Sequence, residues 1–444
     1  MTERPRVSKS TAVPTGANHG DAVCARWAWT APEVWTERML TALERGVTGG
    51  RWYTLMDKVA ALPTLRAAFT RVKANRGAAG VDHVTVPMYA RRLDAALPAL
   101  SAALQAGTYR PQAIRRHWIP KPGTTERRPL GIPTVQDRVV QTALRLVLEP
   151  IFEKDFADHS YGFRPQRGAK DALRRVVTLL RAGHVHVVDA DIQAYFDRIP
   201  QAPLRAQVQT KVSDSRVLAL LDAFLHQPIF EGLTQTTPEE GTPQGAVISP
   251  LLANLYLDPL DHTMAAAGFE MVRYADDFVV LCRTAEDAAC ALALVQGWMD
   301  AAGLRLHPQK TRLVDMQQPG GFDFLGYHVE RDRRWPRAKS LTTLKDTLRQ
   351  HTRRQNGHSL ARIITTVNRT TQGWFAYFKH SHGSFQSLDG WLRMRLRSIL
   401  RRRVHRAGRG RGHDHQRWPN AFFAAQGLFS LSRAHVAVRR SFTR

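Results

Sequence analysis

Cysteine is nearly missing from this 444-residue chain, which carries only Cys24, Cys282 and Cys290. Three thiols so placed build neither a disulfide framework nor a zinc knuckle. Acidic residues are scarce as well: 38 Asp or Glu face 64 Lys or Arg, for a formal net charge of +26. The shortage is greatest near the end, where residues 331–444 hold 26 Lys or Arg against 4 Asp or Glu, a net of +22. That asymmetry points to a polyanion bound mainly by the C-terminal region, with RNA the natural candidate and an affinity that falls steeply with salt. Long apolar runs are lacking too. None approaches transmembrane length and the polar N-terminus has no signal-peptide core, so a cytoplasmic location without a membrane partner is expected. Roughly the first 25 residues are read as disordered. The hydrophobic content, 43%, is ordinary for a chain of two to four domains with a substantial core.

The most informative feature present is Tyr274-Ala275-Asp276-Asp277, two adjacent carboxylates inside an apolar, strand-like run. Met271 and Val272 read as one strand and Phe278 to Leu281 as the next, which puts the Asp pair at a tight hairpin turn. Like charges held that close raise each other's pKa and cost free energy unless a cation neutralises them. A divalent metal with oxygen ligands meets that need, magnesium first. A further carboxylate comes from HVHVVDADIQAYFDRIP at 184–200, where Asp189 and Asp191 share a face of a strand by the period of two. Two metals about 4 Å apart activate the attacking oxygen and stabilise the leaving oxygen of phosphoryl transfer, and they need carboxylates converging from separate segments. Standing alone, an Asp pair of this kind is more often a solvated turn.

It does not stand alone. NRGAAGVD at 75–82, WIPKPGTTERRPLGIPTVQDRVVQ at 118–141 and YGFRP at 161–165 precede the Asp191 segment. GTPQGAVISPLLANLYLDPLD at 241–261, the YADD turn, GLRLHPQKT at 303–311 and FDFLGYHV at 322–329 follow it. In this order the segments resemble the reverse transcriptase domain of group II intron-encoded proteins of the bacterial type. RIITTVNRTTQGWFAYFKH at 362–380 and RWPNAFFAAQGLFSLSRAH at 417–435 resemble the maturase region of the same family.

The resemblance implies roles for individual residues. Asp191, Asp276 and Asp277 match the metal-binding carboxylates, with two Mg2+ ions as cofactor and Mn2+ as a substitute, whereas Asp189 and Asp197 are supporting residues. Phe196 falls where such polymerases place a ring beneath the sugar of the incoming nucleotide, against its ordinary fate as core packing. Lys121, Arg127 and Arg128 lie in the fingers segment that closes over the triphosphate, Arg as a planar fork and Lys as a point charge. Arg138 reads better as a structural or template contact. Gln244, in a glycine-flanked loop, offers an amide to a base or sugar edge. Lys310 resembles the lysine that protonates the leaving pyrophosphate, a general-acid role typically worth about 10²- to 10⁴-fold.

In the C-terminal region Lys379, Arg393, Arg395 and Arg397 are interleaved with Trp374, Phe375, Tyr377, Phe378 and Trp391. Phosphate contacts and base stacking would use both types, although most of these aromatics are expected to pack a helical core while the arginines line its wet face. His413 and His415 beside Asp414 sit in an Arg- and Gly-rich stretch and read as solvated. Since paired metal-binding cysteines are lacking, the appended DNA endonuclease domain of many relatives is expected to be absent.

The expected fold is α+β: a right-hand polymerase with reverse transcriptase fingers and palm, then an all-α thumb and maturase domain. The expected organisation is a disordered tail and N-terminal helical extension at 1–74, fingers and palm at 75–330, and a basic helical domain at 331–444. The expected function is an RNA-directed DNA polymerase that copies intron RNA and assists its splicing and mobility. Its partners would be group II intron RNA, a DNA primer or target, and deoxynucleoside triphosphates. A defence-associated or diversity-generating reverse transcriptase, and an RNA-binding splicing cofactor without polymerase activity, are the alternatives. The three carboxylates weigh against the last of these.

Overall fold

Runs of β-branched and other apolar residues build the sheet on which everything else is hung. The computed structural model describes residues 25–120, 127–232, 234–331 and 333–441. The strands are β1 (Ile114–Pro120), β2 (Arg127–Ile132), β3 (His186–Asp191), β4 (Ile229–Glu231), β5 (Thr234–Thr236) and β6 (Glu270–Tyr274). They continue with β7 (Asp277–Cys282), β8 (Arg312–Asp315), β9 (Phe322–Phe324), β10 (Tyr327–Glu330) and β11 (Arg333–Pro336). The central sheet has the order β6-β7-β3-β8, antiparallel throughout.

Its two inner strands are buried on both faces, which explains why Phe278 to Leu281 is continuously apolar rather than alternating. Alternation survives in what each residue touches. Val188, Ala190, Phe278 and Val280 join the main core, whereas Val187, Val279 and Leu281 join a second cluster with Leu173, Val176 and Phe322. Asp189, Asp191 and Asp277 have the parity of the second face. The main core continues into the Ser249–Ala266 and Ala285–Ala301 helices, and into Val135–Glu153, which is buried along most of its length. Leu62–Ala74 packs along Val135–Glu153, and the Trp35 indole N–H donates to the Leu146 carbonyl at 3.0 Å. The helices before residue 75 thus share one core with the chain that follows.

The fingers form a second sheet, β2-β1-β4-β5, with β1 antiparallel to β2 and parallel to β4. In the third sheet, β11-β10-β9, FDFLGYHV forms a hairpin of β9 and β10. Leu325 (φ +47°) and Gly326 (φ +81°) both take the left-handed conformation that a two-residue hairpin turn requires. A further strand paired to that hairpin, Arg333–Pro336, lies within the 331–444 region expected to be all-helical, and the helices begin at Ala338. From there helices Ala338–His351, Leu360–Phe378, Gln386–Arg403 and Leu431–Ser441 surround a third core of Leu348, Val367, Leu396 and Phe423. Leu360–Phe378 faces both ways, with Phe375 in that core and Phe378 in the second cluster.

Candidate active site

The β3–β7 register sets Asp191 directly across from Asp277. Asp276 lies in the turn and Asp277 is the first residue of β7, so the pair does not sit wholly at the tip. Burial raises the Asp276 carboxyl above the usual carboxylate range, and the neighbouring Asp191 charge adds to this. Burial, followed by the charges of Asp189, Asp276 and Asp191, pushes Asp277 up to about 7. The Lys310 ammonium donates to Asp191 Oδ2 at 2.8 Å, and Arg312 Nε donates to Asp189 Oδ2 at 3.1 Å. Among the described residues no three acidic, His or Cys side chains are already drawn together closely enough to grip an ion. The donor set nevertheless fits a hard divalent cation. Three carboxylates meet at the end of one sheet, two of them held against ionisation by burial and mutual repulsion, which a cation would relieve.

The turn is strained, since Ala275 adopts φ +60°, which costs a non-glycine residue about 1–3 kcal/mol and persists only where the surroundings enforce it. Two segments approach it. Gly162 of YGFRP lies so close that a Cβ there would stand 2.2 Å from the Ala275 nitrogen. The β9–β10 turn approaches as well: the Leu325 peptide N–H favours the charged form of Asp277, and the Tyr377 hydroxyl donates to the Leu325 carbonyl at 2.8 Å.

The GTPQG loop is clasped to the helical turn after β3. Thr242 N–H donates to the Phe196 carbonyl at 2.7 Å, Gly241 N–H to the Ile199 carbonyl at 2.8 Å, and Gln244 Nε2 to Asp197 Oδ2 at 2.9 Å. Gly241 (φ +82°) and Gly245 (φ +98°) are required by space as well as conformation, because a Cβ would meet the Asp197 backbone at 2.7 Å and the Gly131 carbonyl at 2.4 Å. Half-buried Phe196, its ring 6.4 Å from that of Phe163, borders a cavity of about 300 Å³ together with Arg116, Asp197, Thr242 and Gln244. On β2 the pleat turns Arg127 and Arg128 to opposite faces. Arg128 is the one whose charge acts on Asp276, and with Ile119 and Leu130 it lines a groove of about 720 Å³ facing Thr343, Trp374 and Phe378. Lys121 lies outside the described residues. Arg138 is structural, donating to the Ala78 carbonyl at 2.6 Å.

The C-terminal arginines require a correction. At 100° per residue Arg393 and Arg397 share one side of their helix and Arg395 takes the other, so the three do not form one wet face. Arg397 is 3% exposed and donates to the Trp418 carbonyl at 2.9 Å and Asn420 Oδ1 at 2.8 Å. Arg395 donates to Thr352 Oγ1 at 2.6 Å and lies over the Trp391 ring, while Arg393 Nε is buried with no hydrogen-bond partner among the described residues. Lys379 caps its helix, half-buried. Asp414 is buried and accepts from Arg401 at 2.7 Å, which commits the acid of the His413–His415 stretch to an arginine. Arg397→Ala should therefore act on the fold first, since two acceptors lose a charged donor and stability falls by about 3 kcal/mol. A thermal melt matching wild type would overturn that assignment.

Sequence reasoning missed Arg273, Asn254 and Asp261 as neighbours of the turn. One signal was available: Asn254 and Asp261 are polar residues seven apart, hence on one side of the helix, and both fall among its buried residues.

No helix among the described residues is long and apolar enough to cross a membrane. Residues 119–329 match the reverse transcriptase (RNA-dependent DNA polymerase) family, and residues 341–418 match the group II intron maturase-specific domain. Protein YkfC of Escherichia coli (strain K12) is 32% identical over 362 residues, covering 72% of this chain and 90% of YkfC. Group II intron-encoded protein LtrA of Lactococcus lactis subsp. cremoris is 41% identical over 159 residues, 36% of this chain and 26% of LtrA. An uncharacterised 91 kDa protein in the cob intron of Schizosaccharomyces pombe is 40% identical over 135 residues, 30% of this chain and 17% of the other. Members of the polymerase family depend on divalent metal. The match to both domains in chain order, together with the near full-length likeness to YkfC, shows that the chain belongs to the group II intron-encoded reverse transcriptases and maturases, RNA-directed DNA polymerases with a helical maturase domain.

Proposed function

We propose that this chain extends a DNA primer on group II intron RNA with deoxynucleoside triphosphates, and that its basic C-terminal region binds the same RNA to assist splicing and mobility. The observation that carries the reading is the apposition of Asp191 and Asp277 across β3 and β7 with Asp276 in the adjoining turn. In this reading Asp191, Asp276 and Asp277 hold two Mg2+ ions, or Mn2+ in their place. When bound, such ions supply stabilisation of charge on the attacking and leaving oxygens. The primer 3′-hydroxyl gives up its proton to solvent and attacks the α-phosphorus of the nucleotide; a new P–O bond forms, and the bond from the α-phosphorus to the oxygen bridging to the β-phosphate breaks, releasing pyrophosphate. Lys310, already at the Asp191 carboxylate, gives its Nζ proton to the departing pyrophosphate. Arg128, with Lys121 of the same fingers segment, grips the triphosphate, while Arg127 on the opposite face of β2 serves the nucleic acid instead. Gln244, fixed by Asp197, presents its carbonyl oxygen to the sugar or base edge. Fingers and palm would span 75–330 and the thumb and maturase region 331–444, with a cytoplasmic location. Primer extension on an RNA template, dependent on a divalent cation, tests the reading; purified, folded protein that makes no DNA product would overturn it.

Phe196 provides a separate check. It lines the same cavity as Gln244, and with the sugar of the nucleotide held there its ring would meet a 2′-hydroxyl. Phe196→Ala is expected to lower the deoxy-to-ribo ratio of kcat/KM by about 10²-fold, the scale of a steric pocket that no longer rejects its competitor. An unchanged ratio at normal activity would return the ring to plain core packing.

A further inference from the structure

The strained turn that carries the carboxylates is supported from beneath by a buried polar network. Arg273, the residue before Tyr274 on β6 of the central sheet, is 1% exposed. Its Nε donates to both oxygens of Asp261, at 2.8 and 3.0 Å, and its Nη2 donates to Asp261 Oδ2 as well. That leaves Nη1, which divides between Asn254 Oδ1 at 3.1 Å and the carbonyl oxygen of Ala275 at 2.9 Å. Asn254 in turn donates its Nδ2 to the Gly162 carbonyl at 2.7 Å. Gly162 rests against the turn, with room for no Cβ: one would stand 2.2 Å from Ala275 N and 2.7 Å from the Tyr274 carbonyl carbon. Its φ lies outside the left-handed region, so the requirement is for space alone. Backbone bonds complete the seat. Arg273 N–H donates to the His159 carbonyl at 3.0 Å, and Tyr161 N–H donates to the Arg273 carbonyl at 2.9 Å.

We propose that Arg273, Asn254 and Gly162 are positioning residues for the polymerase reaction, a brace that fixes the Ala275–Asp276 peptide and through it the direction of both carboxylates. The inference rests on the function proposed above. Its physical content lies in geometry rather than in stability. A buried ion pair is a poor way to gain stability compared with apolar residues of the same volume. A guanidinium whose other edge is locked by Asp261, however, aims its remaining nitrogen in one direction only. The Ala275 carbonyl belongs to the same planar peptide as the Asp276 N–H, so holding that oxygen sets the plane from which Asp276 departs. Asn254 ties the same nitrogen to the Gly162 carbonyl, and Gly162 blocks the turn from sinking towards the segment beneath it.

The test compares Arg273→Lys and Asn254→Ala with Asp276→Asn and wild type. Lysine keeps the charge for Asp261, yet a single ammonium cannot serve Asp261, Asn254 and Ala275 in these directions. Expected are a loss in kcat per folded molecule of about 10²-fold for Arg273→Lys and about tenfold for Asn254→Ala, with little change in KM for the nucleotide. The Mn2+ concentration that half-saturates the metal-free protein, followed by electron paramagnetic resonance, should rise. Amide hydrogen exchange across residues 274–277 should quicken, while RNA affinity stays at the wild-type value. A merely structural role would lower the melting temperature and leave turnover per folded molecule and Mn2+ affinity untouched, and that result in Asn254→Ala overturns the brace even if Arg273→Lys fails to fold. Asp276→Asn separates the two layers. If it remains active, the assignment of the carboxylates fails. If it is inactive while Asn254→Ala behaves as wild type, only the brace fails.

Discussion

Asp276→Asn should cut primer extension about 10³-fold, a loss of about 4 kcal/mol of transition-state stabilisation. The substitution keeps the shape of the side chain and removes one of three carboxylate charges at the end of the β3–β7 pair. On the proposed reading, what remains is an amide, a weaker ligand for a hard cation, with less negative charge beside the attacking oxygen. The fold has no reason to suffer. Asp276 is half-buried beside Asp191 and its carboxyl is raised above the usual range, so neutralising it removes repulsion and the melting temperature in metal-free buffer should be no lower than that of wild type. RNA binding should be untouched, because the excess charge lies in residues 331–444, away from the turn in sequence. The measurements are single-turnover extension of an annealed primer, a melt in chelator and an RNA-binding isotherm. A variant retaining more than a few per cent of wild-type turnover would remove the carboxylates from the chemistry. One that lost RNA affinity in parallel would mean that the two activities share a single surface.

RNA affinity should fall about 10³- to 10⁵-fold between 50 and 200 mM salt, as expected for a protein that neutralises roughly six to ten phosphates. The C-terminal region has cations to spare for this. Arg402, Arg406 and Arg409 are all exposed in the stretch around 402–409, and the nearby acid, Asp414, is taken by Arg401. They contrast with Arg397, which is spent on Trp418 and Asn420, and with Arg395, which is spent on Thr352. Replacing Arg402, Arg406 and Arg409 together by Ala should flatten the slope of log affinity against log salt by about two to three units, at about 0.7 to 0.9 for each phosphate no longer neutralised. Substitutions at exposed positions away from packing usually change stability by less than about 0.5 kcal/mol, so the melt should barely move. Extension of a pre-annealed primer at saturating template should persist. If the slope stayed at its wild-type value, the RNA would have to be held by another face of the molecule.

Sequence and structure divide this protein along a physical line. The carboxylates could be read from the chain because their signal is local. A strand repeats every two residues, so the parity of Asp189 and Asp191 and the apolar run from Phe278 to Leu281 already place them on a pleated surface. The two apolar strands flanking the Asp pair announce a hairpin, and the hairpin is there, displaced by one residue so that Asp277 belongs to β7. The excess of positive charge is equally legible, since it is a sum over residues and needs no coordinates. Side-chain direction on the C-terminal helices was not legible. Arg393, Arg395 and Arg397 look alike in sequence, and only the packing of Trp418, Asn420 and Thr352 against that helix draws two of them inward. The hairpin inside FDFLGYHV was hidden because leucine carries no signal for a left-handed conformation, which here is enforced by pairing of β9 with β10. The meetings around the carboxylate turn depend on segments more than a hundred residues apart, Gly162 against Ala275, and on Asn254 and Asp261 turning toward Arg273. Such meetings have no periodicity to betray them. They are fixed only when the cores on the two faces of the central sheet close, because a buried guanidinium must find its acceptors wherever packing has left them.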